Sequence, residues 1–446
     1  MLKNKKLTSS QLIILSFIVL ISTGTVLLTL PIASRSGQWT NPLSALFTAT
    51  SASCVTGLIV VDTATYWSLF GQFVILCMVQ LGGMGVITMA MLLAIAAGKR
   101  IGLFERQVMQ DSASFDNVGG VVRETKFIFK SIVLFESLGA AMLSFVFVPE
   151  YGFWRGLWYS IFHSVSAFCN AGFDLMGIKT ESSSLTNYQG NTLINIVIPV
   201  LILIGGLGFA TWEDIWENKH NLKKYSIQSR VILQSTVVLI ALPMMFFYFY
   251  EFSGAPWEGM SGRERVLASF FQTVTPRTAG FNTVDLTLMS EVAIFIMIIL
   301  MLIGGASGST AGGMKIGTIA VIFAAMFSVF NHKADVNIQK RRLAEEIIRK
   351  AIAIFAMYIA LFLIGSLSIS IIESLPLLPC MFEAASAVAT VGLTLGITST
   401  LSITSKIILI LLMFCGRVGG LTIIFAAGNM KNNISLKYPE GKITVG

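Results

Sequence analysis

Apolar residues along this chain fall into one rhythm repeated four times: a long run, a shorter amphipathic run, a glycine-containing turn and a second long run. The first unit predicts a helix over 11–30, a half-length helix over 42–53, a turn over 54–60 and a helix over 67–97. The second gives 126–148, 155–168, 169–175 and 191–214, and the third 229–252, 262–275, 276–283 and 291–330. The fourth gives 347–373, 379–389, 390–396 and 405–428. An apolar helix of about 18 residues or more can cross a bilayer, and one much shorter cannot. The long runs therefore read as membrane spans, and the half-length runs as segments that dip in and return.

The turns can be stacked. They read SASCVTGL (51–58), SAFCNAGF (166–173), VTPRTAGF (274–281) and SAVATVGL (386–393), each with a glycine in its seventh position: Gly57, Gly172, Gly280 and Gly392. A second glycine pattern follows in each unit: LGGMG (81–85), IGGLG (204–208), IGGAS (303–307) and VGGLT (418–422). Self-similarity at a long fixed period means one supersecondary unit used several times. The predicted fold is an all-α polytopic membrane protein. It has four tandem helix–pore-loop–helix repeats, eight membrane helices plus four re-entrant half-helices, around a pseudo-fourfold pore. The repeats divide at 1–110, 111–220, 221–340 and 341–446. Re-entrant backbone survives in a bilayer only where protein buries it or water lines it, and four such segments about one axis bury each other.

Composition agrees: 54% of residues are apolar and only 12% charged, about half the charge of a soluble domain. The net charge of +8 suggests nucleic acid until the basic residues are located. They cluster in the N-terminal tail, 99–130, 219–230, 333–350 and the C-terminal tail, alternating with connections nearly free of them. By the positive-inside rule those clusters, and both termini, are cytoplasmic in a multi-pass protein of the cell membrane. The surplus then reports topology, and no nucleic acid is called for. The basic N-terminus followed by an apolar stretch could be read as a secretory signal, but the stretch is of spanning length and belongs to the first repeat. Five cysteines (Cys54, Cys77, Cys169, Cys380, Cys415) lack metal-ligand spacing, and three histidines (His163, His220, His332) are scattered, so metal catalysis finds no footing.

A half-helix entering from outside points its C-terminus at the membrane centre, where unsatisfied carbonyls carry about half a negative charge. Four such ends make a cation site without carboxylates. The turns that climb back can aim backbone carbonyls at the axis, and rings of carbonyls that replace a hydration shell are how K⁺-selective filters work. The candidate filter is Val55, Thr56 and Gly57; Asn170, Ala171 and Gly172; Thr278, Ala279 and Gly280; and Thr390, Val391 and Gly392, with K⁺ held by their carbonyls. One stretch breaks the pattern: GGASGSTAGGMK (304–315) interrupts the second helix of the third repeat at mid-membrane. A structureless stretch at that depth must face the aqueous path, where it is an obstruction that can move. The candidate gate comprises Gly304, Gly305, Ala306, Ser307, Gly308, Ser309, Thr310, Ala311, Gly312, Gly313 and Lys315. Arg417 joins it, because a buried membrane arginine is a functional candidate by default. Its equivalents in the other repeats are read as Gln80, Leu203 and Leu302. It should sit just under the filter, repelling a resting cation and holding loop carbonyls.

With SASCVTGL, SAFCNAGF, TPRTAGFNTVD and ATVGLT in place, the whole chain resembles the Trk/Ktr/HKT superfamily of K⁺ transporters, and most of all its Ktr-type membrane subunits. The resemblance implies a filter at Gly57, Gly172, Gly280 and Gly392 and a gate in the intramembrane loop with the arginine beneath. In plant relatives a serine at the first of these positions goes with Na⁺ transport, so Gly57 implies K⁺. TrkH-type chains carry an additional pair of helices before the first repeat, which has no counterpart here. The resemblance also implies Na⁺-dependent uptake, a homodimer, and a cytoplasmic ring of RCK-type nucleotide-binding subunits, KtrA-like. The basic connection 332–350 suits an acidic partner or anionic membrane lipids.

The remaining candidates are less determined. Arg277, beside a cation filter, should point away from the axis and brace its turn. Glu136 and Glu383 lie in apolar runs, where either could pair with an arginine or serve the ion path. Asp62 and Asp285 could draw cations to the outer mouth or be solvated loop acids. Enzymes are excluded on chemistry. GASG (305–308) resembles an intramembrane-protease nucleophile at Ser307, but the only later histidine is His332, in a cytoplasmic connection. GSTAGGMK lacks the ending and preceding strand of a phosphate loop. The alternative is the K⁺-binding subunit of an ATP-driven pump, whose chains are longer.

Overall fold

The computed structural model describes residues 8–86, 88–89, 121–180, 183–219 and 221–419. The far ends of the helices expected over 67–97 and 405–428 lie outside the described residues. So do both terminal basic clusters, most of 99–130, and His220.

Each repeat opens with a long helix: α1 (Ser9–Thr29), α4 (Val121–Tyr151), α8 (Ile227–Phe249) and α12 (Glu345–Glu373). All four are apolar enough to span a membrane, yet only 17–28% of each apolar window is buried by protein. Leucine, valine and phenylalanine left bare along a helix of this length suit contact with lipid. The half-length helices are α2 (Pro42–Ser53), α5 (Phe153–Phe168), α9 (Gly262–Val274) and α13 (Leu377–Val388). They start on Asn41 with Pro42 behind it, on Gly152, on a Ser261–Glu264 capping box and on Pro376.

The inner helices are α3 (Leu69–Met84), α6 (Thr192–Gly206) with α7 (Phe209–Asn218), α10 (Glu291–Leu302) with α11 (Ile316–Phe330), and α14 (Ile403–Val418). Each starts on a side-chain cap, at Ser68, Asn191, Ser290 and Ser402, which takes up an N–H that has no partner within the helix. The caps are tied to the end of the preceding long helix. Ser290 donates its N–H and hydroxyl to Glu251, just past α8, at 3.0 and 2.6 Å. Ser402 does the same to Glu373, the last residue of α12, at 2.9 and 2.6 Å. In the first repeat Ser68 donates to Ile32 O at 2.6 Å. In the second, Tyr188 and Lys179 both bond Glu150 near the end of α4, and that carboxylate raises the pKa of Lys179. A short hairpin, β1 (Asn337–Ile338) and β2 (Arg341–Arg342), joins the third repeat to the fourth.

One expectation needs correcting. Only the third inner helix was read as broken, but the others also stop or bend at a glycine with φ between +83° and +88°: Gly85, Gly208 and Gly419. At Gly208 the chain turns by 96° between α6 and α7, so 191–214 is not one span. Three residues before each of these breaks stand Gly82, Gly205 and Gly416. A Cβ there would lie 2.0, 2.0 and 2.1 Å from the carbonyl oxygens of Ser53, Phe168 and Val388, the last residues of α2, α5 and α13. The inner helices thus press directly on the ends of the half-helices. We expect Gly82→Ala to lower stability by about 1–3 kcal/mol through overpacking, read as a lower thermal midpoint of the purified protein in detergent. An unchanged midpoint would refute this contact.

Candidate functional site

The four turns after the half-helices meet as a ring. Each has a left-handed residue two positions before its glycine: Val55 (φ 58°), Asn170 (60°), Thr278 (66°) and Thr390 (53°). Val55, Thr278 and Thr390 are β-branched and resist that conformation, so the surroundings must impose it there, whereas asparagine enters it more readily. The glycines follow with φ of 93°, 69°, 85° and 94° at Gly57, Gly172, Gly280 and Gly392. A Cβ on Gly57 would meet Ala171 O at 2.4 Å, one on Gly172 Ala279 O at 2.6 Å, and one on Gly280 Val391 O at 2.4 Å. One on Gly392 would meet Thr56 O at 2.2 Å, which closes the circle in the order of the sequence. Every glycine is backed by the carbonyl that precedes the next repeat's glycine. All twelve candidate filter residues come together here.

Hydroxyls at the ends of the half-helices fix the turns. Ser51 and Ser386 accept from Gly57 N and Gly392 N at 3.1 and 3.0 Å, and Ser166 donates to Phe173 O at 2.7 Å. In the third repeat Thr275 plays the part of Ser166, donating to Phe281 O. Its own carbonyl accepts from Ala279 N, four residues on, where Ser166 O accepts from Ala171 N, five residues on. The third turn is therefore one residue tighter. Arg277 is buried and reaches outward to Thr236 on α8 at 3.3 Å, away from the ring.

The loop 304–315 passes directly below the ring and is well structured. Gly304 N donates to Met314 O at 2.8 Å, and Ile316 N to Gly305 O at 3.0 Å, so its two ends lie side by side. Ala306 N and Thr310 N donate to Gly206 O and Gly205 O where α6 ends, and Gly308 O accepts from Phe209 N. The bend in the second repeat is thus the berth of the third repeat's loop. Thr310 Oγ1 reaches Phe168 O at 3.1 Å and Asn170 Oδ1 at 3.2 Å, inside the second turn. Across the axis, a Cβ on Gly312 would strike Thr390 Oγ1 at 1.8 Å. Ser309 and Lys315 bond back to Ala306 O and Ala311 O at 2.6 Å each.

Arg417 locks this arrangement. Its guanidinium donates to Thr310 O in the loop and to Gly82 O and Gly83 O at 2.7 and 3.1 Å at the end of α3. The matching breaks at Gly85, Gly208 and Gly419 put Arg417 level with Gly83 and Gly206, not with Gln80 and Leu203 as the sequence suggested. Arg417 and Lys315 line a cavity on the side of the loop away from the ring.

Above the ring an outer cavity is lined by the four glycines together with Asp62 and Asp174. Asp174 was not anticipated, although its place two residues after Gly172 was the available signal. Asp285 does not line this cavity. It is exposed and caps a short helical turn, accepting from Thr287 N at 2.9 Å. Asp62 also accepts from Ala64 N and Thr65 N. Among the described residues neither Glu136 nor Glu383 bonds an arginine. Glu136 accepts from Gln80 at 3.3 Å, and Glu383 from Thr394 at 2.9 Å and from Thr398. Among the described residues no group of acidic, histidine and cysteine side chains forms a metal cluster.

Residues 5–436 match the TrkH family model, described as a cation transport protein. The chain is 38% identical to the potassium/sodium uptake protein NtpJ of Enterococcus hirae, with 99% of this chain and 98% of the relative covered. It is also 38% identical to the Ktr system potassium uptake protein B of Bacillus subtilis, covering 99% and 97%. The crystal structure of the potassium transporter TrkH from Vibrio parahaemolyticus superimposes with a TM-score of 0.73 at 19% identity, covering 96% of this chain and 86% of that one. That likeness speaks for the fold.

Proposed function

The chain belongs to the TrkH family of cation transport proteins, and from that premise we propose that it carries K⁺ into the cell through the ring of turns. Carbonyls of the twelve turn residues take the place of the ion's water shell. The loop 304–315, pinned by Arg417, is the closed gate beneath. The observation that carries this reading is the closed circle of glycine against carbonyl, because it arranges four backbone turns about one shared axis. Carbonyls selecting a cation by number and geometry need no carboxylate. Arg417 and Lys315 under the ring give a resting cation an unfavourable exit until the loop moves.

In this reading both termini and the basic connections face the cytoplasm, and the outer cavity with Asp62 and Asp174 faces outward. Uptake is driven by the negative interior, with Na⁺ as an activating ion. The membrane subunit pairs with a second copy and sits on a ring of cytoplasmic RCK-type nucleotide-binding subunits. The name of the Bacillus relative, a component of a system, supports a partner of some kind. The exposed basic residues around the hairpin 337–342 suit that partner or anionic lipid.

The test is flux into liposomes holding the purified chain, with an interior-negative potential and K⁺ or Na⁺ outside. K⁺ is expected to enter in clear preference to Na⁺. Equal entry of the two, or no K⁺ entry with folded protein, would sink the reading.

A further inference from the structure

The bonds of Ser51, Ser166, Thr275 and Ser386 to their turns put these four residues in equivalent places. Three residues earlier in each half-helix stand Thr48, His163, Gln272 and Glu383, all no more than 1% exposed. The position is polar in every repeat and sits behind the turn, on the side away from the axis. What it does there differs from repeat to repeat.

In the second repeat the His163 ring bridges helix and turn. Its Nδ1 lies 2.8 Å from Tyr159 O, and its Nε2 accepts from Leu175 N at 3.3 Å. The tautomer with hydrogen on Nδ1 satisfies both contacts. Leu175 is three residues past Gly172, next to Asp174 at the outer cavity. In the fourth repeat the Glu383 carboxylate accepts from Thr394 Oγ1 at 2.9 Å and from Thr398 Oγ1. Those hydroxyls are 2.9 Å apart, and Gly396 N donates to Thr394 Oγ1 at 3.0 Å. Thr394 and Thr398 line the outer cavity beside Gly392. One buried carboxylate therefore gathers the whole segment 394–398 that follows the fourth glycine. In the first and third repeats the same position does not reach the turn: Thr48 Oγ1 and both polar atoms of the Gln272 side chain have no hydrogen-bond partner.

We propose that Glu383 and His163 are positioning residues for ion selection, holding the fourth and second turns from behind, on opposite sides of the axis. The first and third turns take their places from these two through the ring of glycine–carbonyl contacts. This rests on the reading of the ring as the filter. A site that discriminates ions by carbonyl geometry needs its supporting shell fixed to a fraction of an ångström, and beyond the hydroxyls that hold all four turns, the support from this position comes from two repeats out of four. Selectivity should then be sensitive to the back of the second and fourth turns and indifferent to the back of the first and third.

The experiment compares K⁺ and Na⁺ flux into liposomes for full-length variants. Glu383→Leu keeps bulk and loses both acceptors. Its K⁺/Na⁺ ratio should fall about tenfold, within the net worth of one buried hydrogen bond, while the K⁺ rate changes little. Glu383→Gln, which can still bond both threonines, should keep the ratio. His163→Phe should lower it, and Thr48→Val and Gln272→Leu should leave it alone. An unchanged ratio in Glu383→Leu overturns the proposal, as does an equal fall in Gln272→Leu. Should Glu383→Leu fail to fold, the double variant Thr394→Val/Thr398→Val removes the same bonds from the other side, and an unchanged ratio there overturns it equally. Gly392→Ala serves as control. If it too keeps the ratio, the filter reading itself falls; if it loses the ratio while Glu383→Leu does not, only the present inference falls.

Discussion

Gly392→Ala is expected to bring the K⁺/Na⁺ flux ratio close to one in protein that still purifies as a folded membrane protein. At φ +94° a side chain is strained whatever space surrounds it, and here there is none: its Cβ would lie 2.2 Å from Thr56 O and 2.9 Å from the Gly57 Cα. Neither neighbour is the end of a flexible side chain. The carbonyl that must retreat belongs to the first turn, which is itself backed by the second at Gly57, so the error travels around the ring. The backbone strain alone is about 1–3 kcal/mol, and 2 kcal/mol is a factor of about 30 in any equilibrium it biases. The measurement is isotope or dye-coupled flux of each ion at equal driving force. A variant that keeps strong K⁺ preference would show that these carbonyls do not select the ion.

Removal of residues 306–312 is expected to do the opposite: raise K⁺ flux about tenfold or more while leaving the ion preference intact. Each unit of 1.4 kcal/mol taken from a closed state is a tenfold gain in the open fraction, and the excised segment makes many closing contacts. Thr310 alone bonds Gly205 O through its N–H, shares its one hydroxyl proton between Phe168 O and Asn170 Oδ1, and accepts from Arg417 through its carbonyl. The excision is sterically feasible because the two stumps already touch. Ile303 and Met314 form a bridge, and Gly304 N and Ile316 N donate across the gap to Met314 O and Gly305 O. The deletion also frees Arg417, whose remaining partners would be Gly82 O and Gly83 O. If flux falls, the loop holds the pore together and does not block it.

The sequence carried the architecture because the architecture is repeated. A turn such as SASCVTGL says little alone, but four copies with glycine in register expose a common backbone demand, and the half-helix bounds 42–53 were met to the residue. Register failed where a repeat offers two glycine patterns. Gly416 and Gly419 in the fourth inner helix both resemble the pair in LGGMG, and only the positive φ at Gly85 and Gly419 shows which belongs to which. That error placed Arg417 three residues away from its true equivalents. The bend at Gly208 was missed for a different reason: IGGLGFATW has no loop-like composition, and its break is stabilised by bonds to Ala306 and Thr310, some hundred residues further on. Asp174 and Asp285 follow their glycines at different distances, and whether such an acid faces the mouth or caps a turn depends on loop paths that no local pattern encodes. The loop itself was read as lacking structure because the bonds that berth it, to Gly205, Gly206, Phe168 and Arg417, lie in other repeats.

The contact between Thr310 Oγ1 and Asn170 Oδ1 has a thermodynamic consequence. In the function proposed above it is a strut shared by the gating segment and the ion-binding turn, so any motion withdrawing the loop removes a contact from the ring. Binding equilibria coupled through a common strut are reciprocal: if occupancy of the ring by K⁺ shifts the loop, movement of the loop must shift the affinity for K⁺ by the same factor. The permeating ion is then an effector of its own passage. A cell starved of K⁺ and one replete with it would present the same molecule at two different settings, with no other signal required.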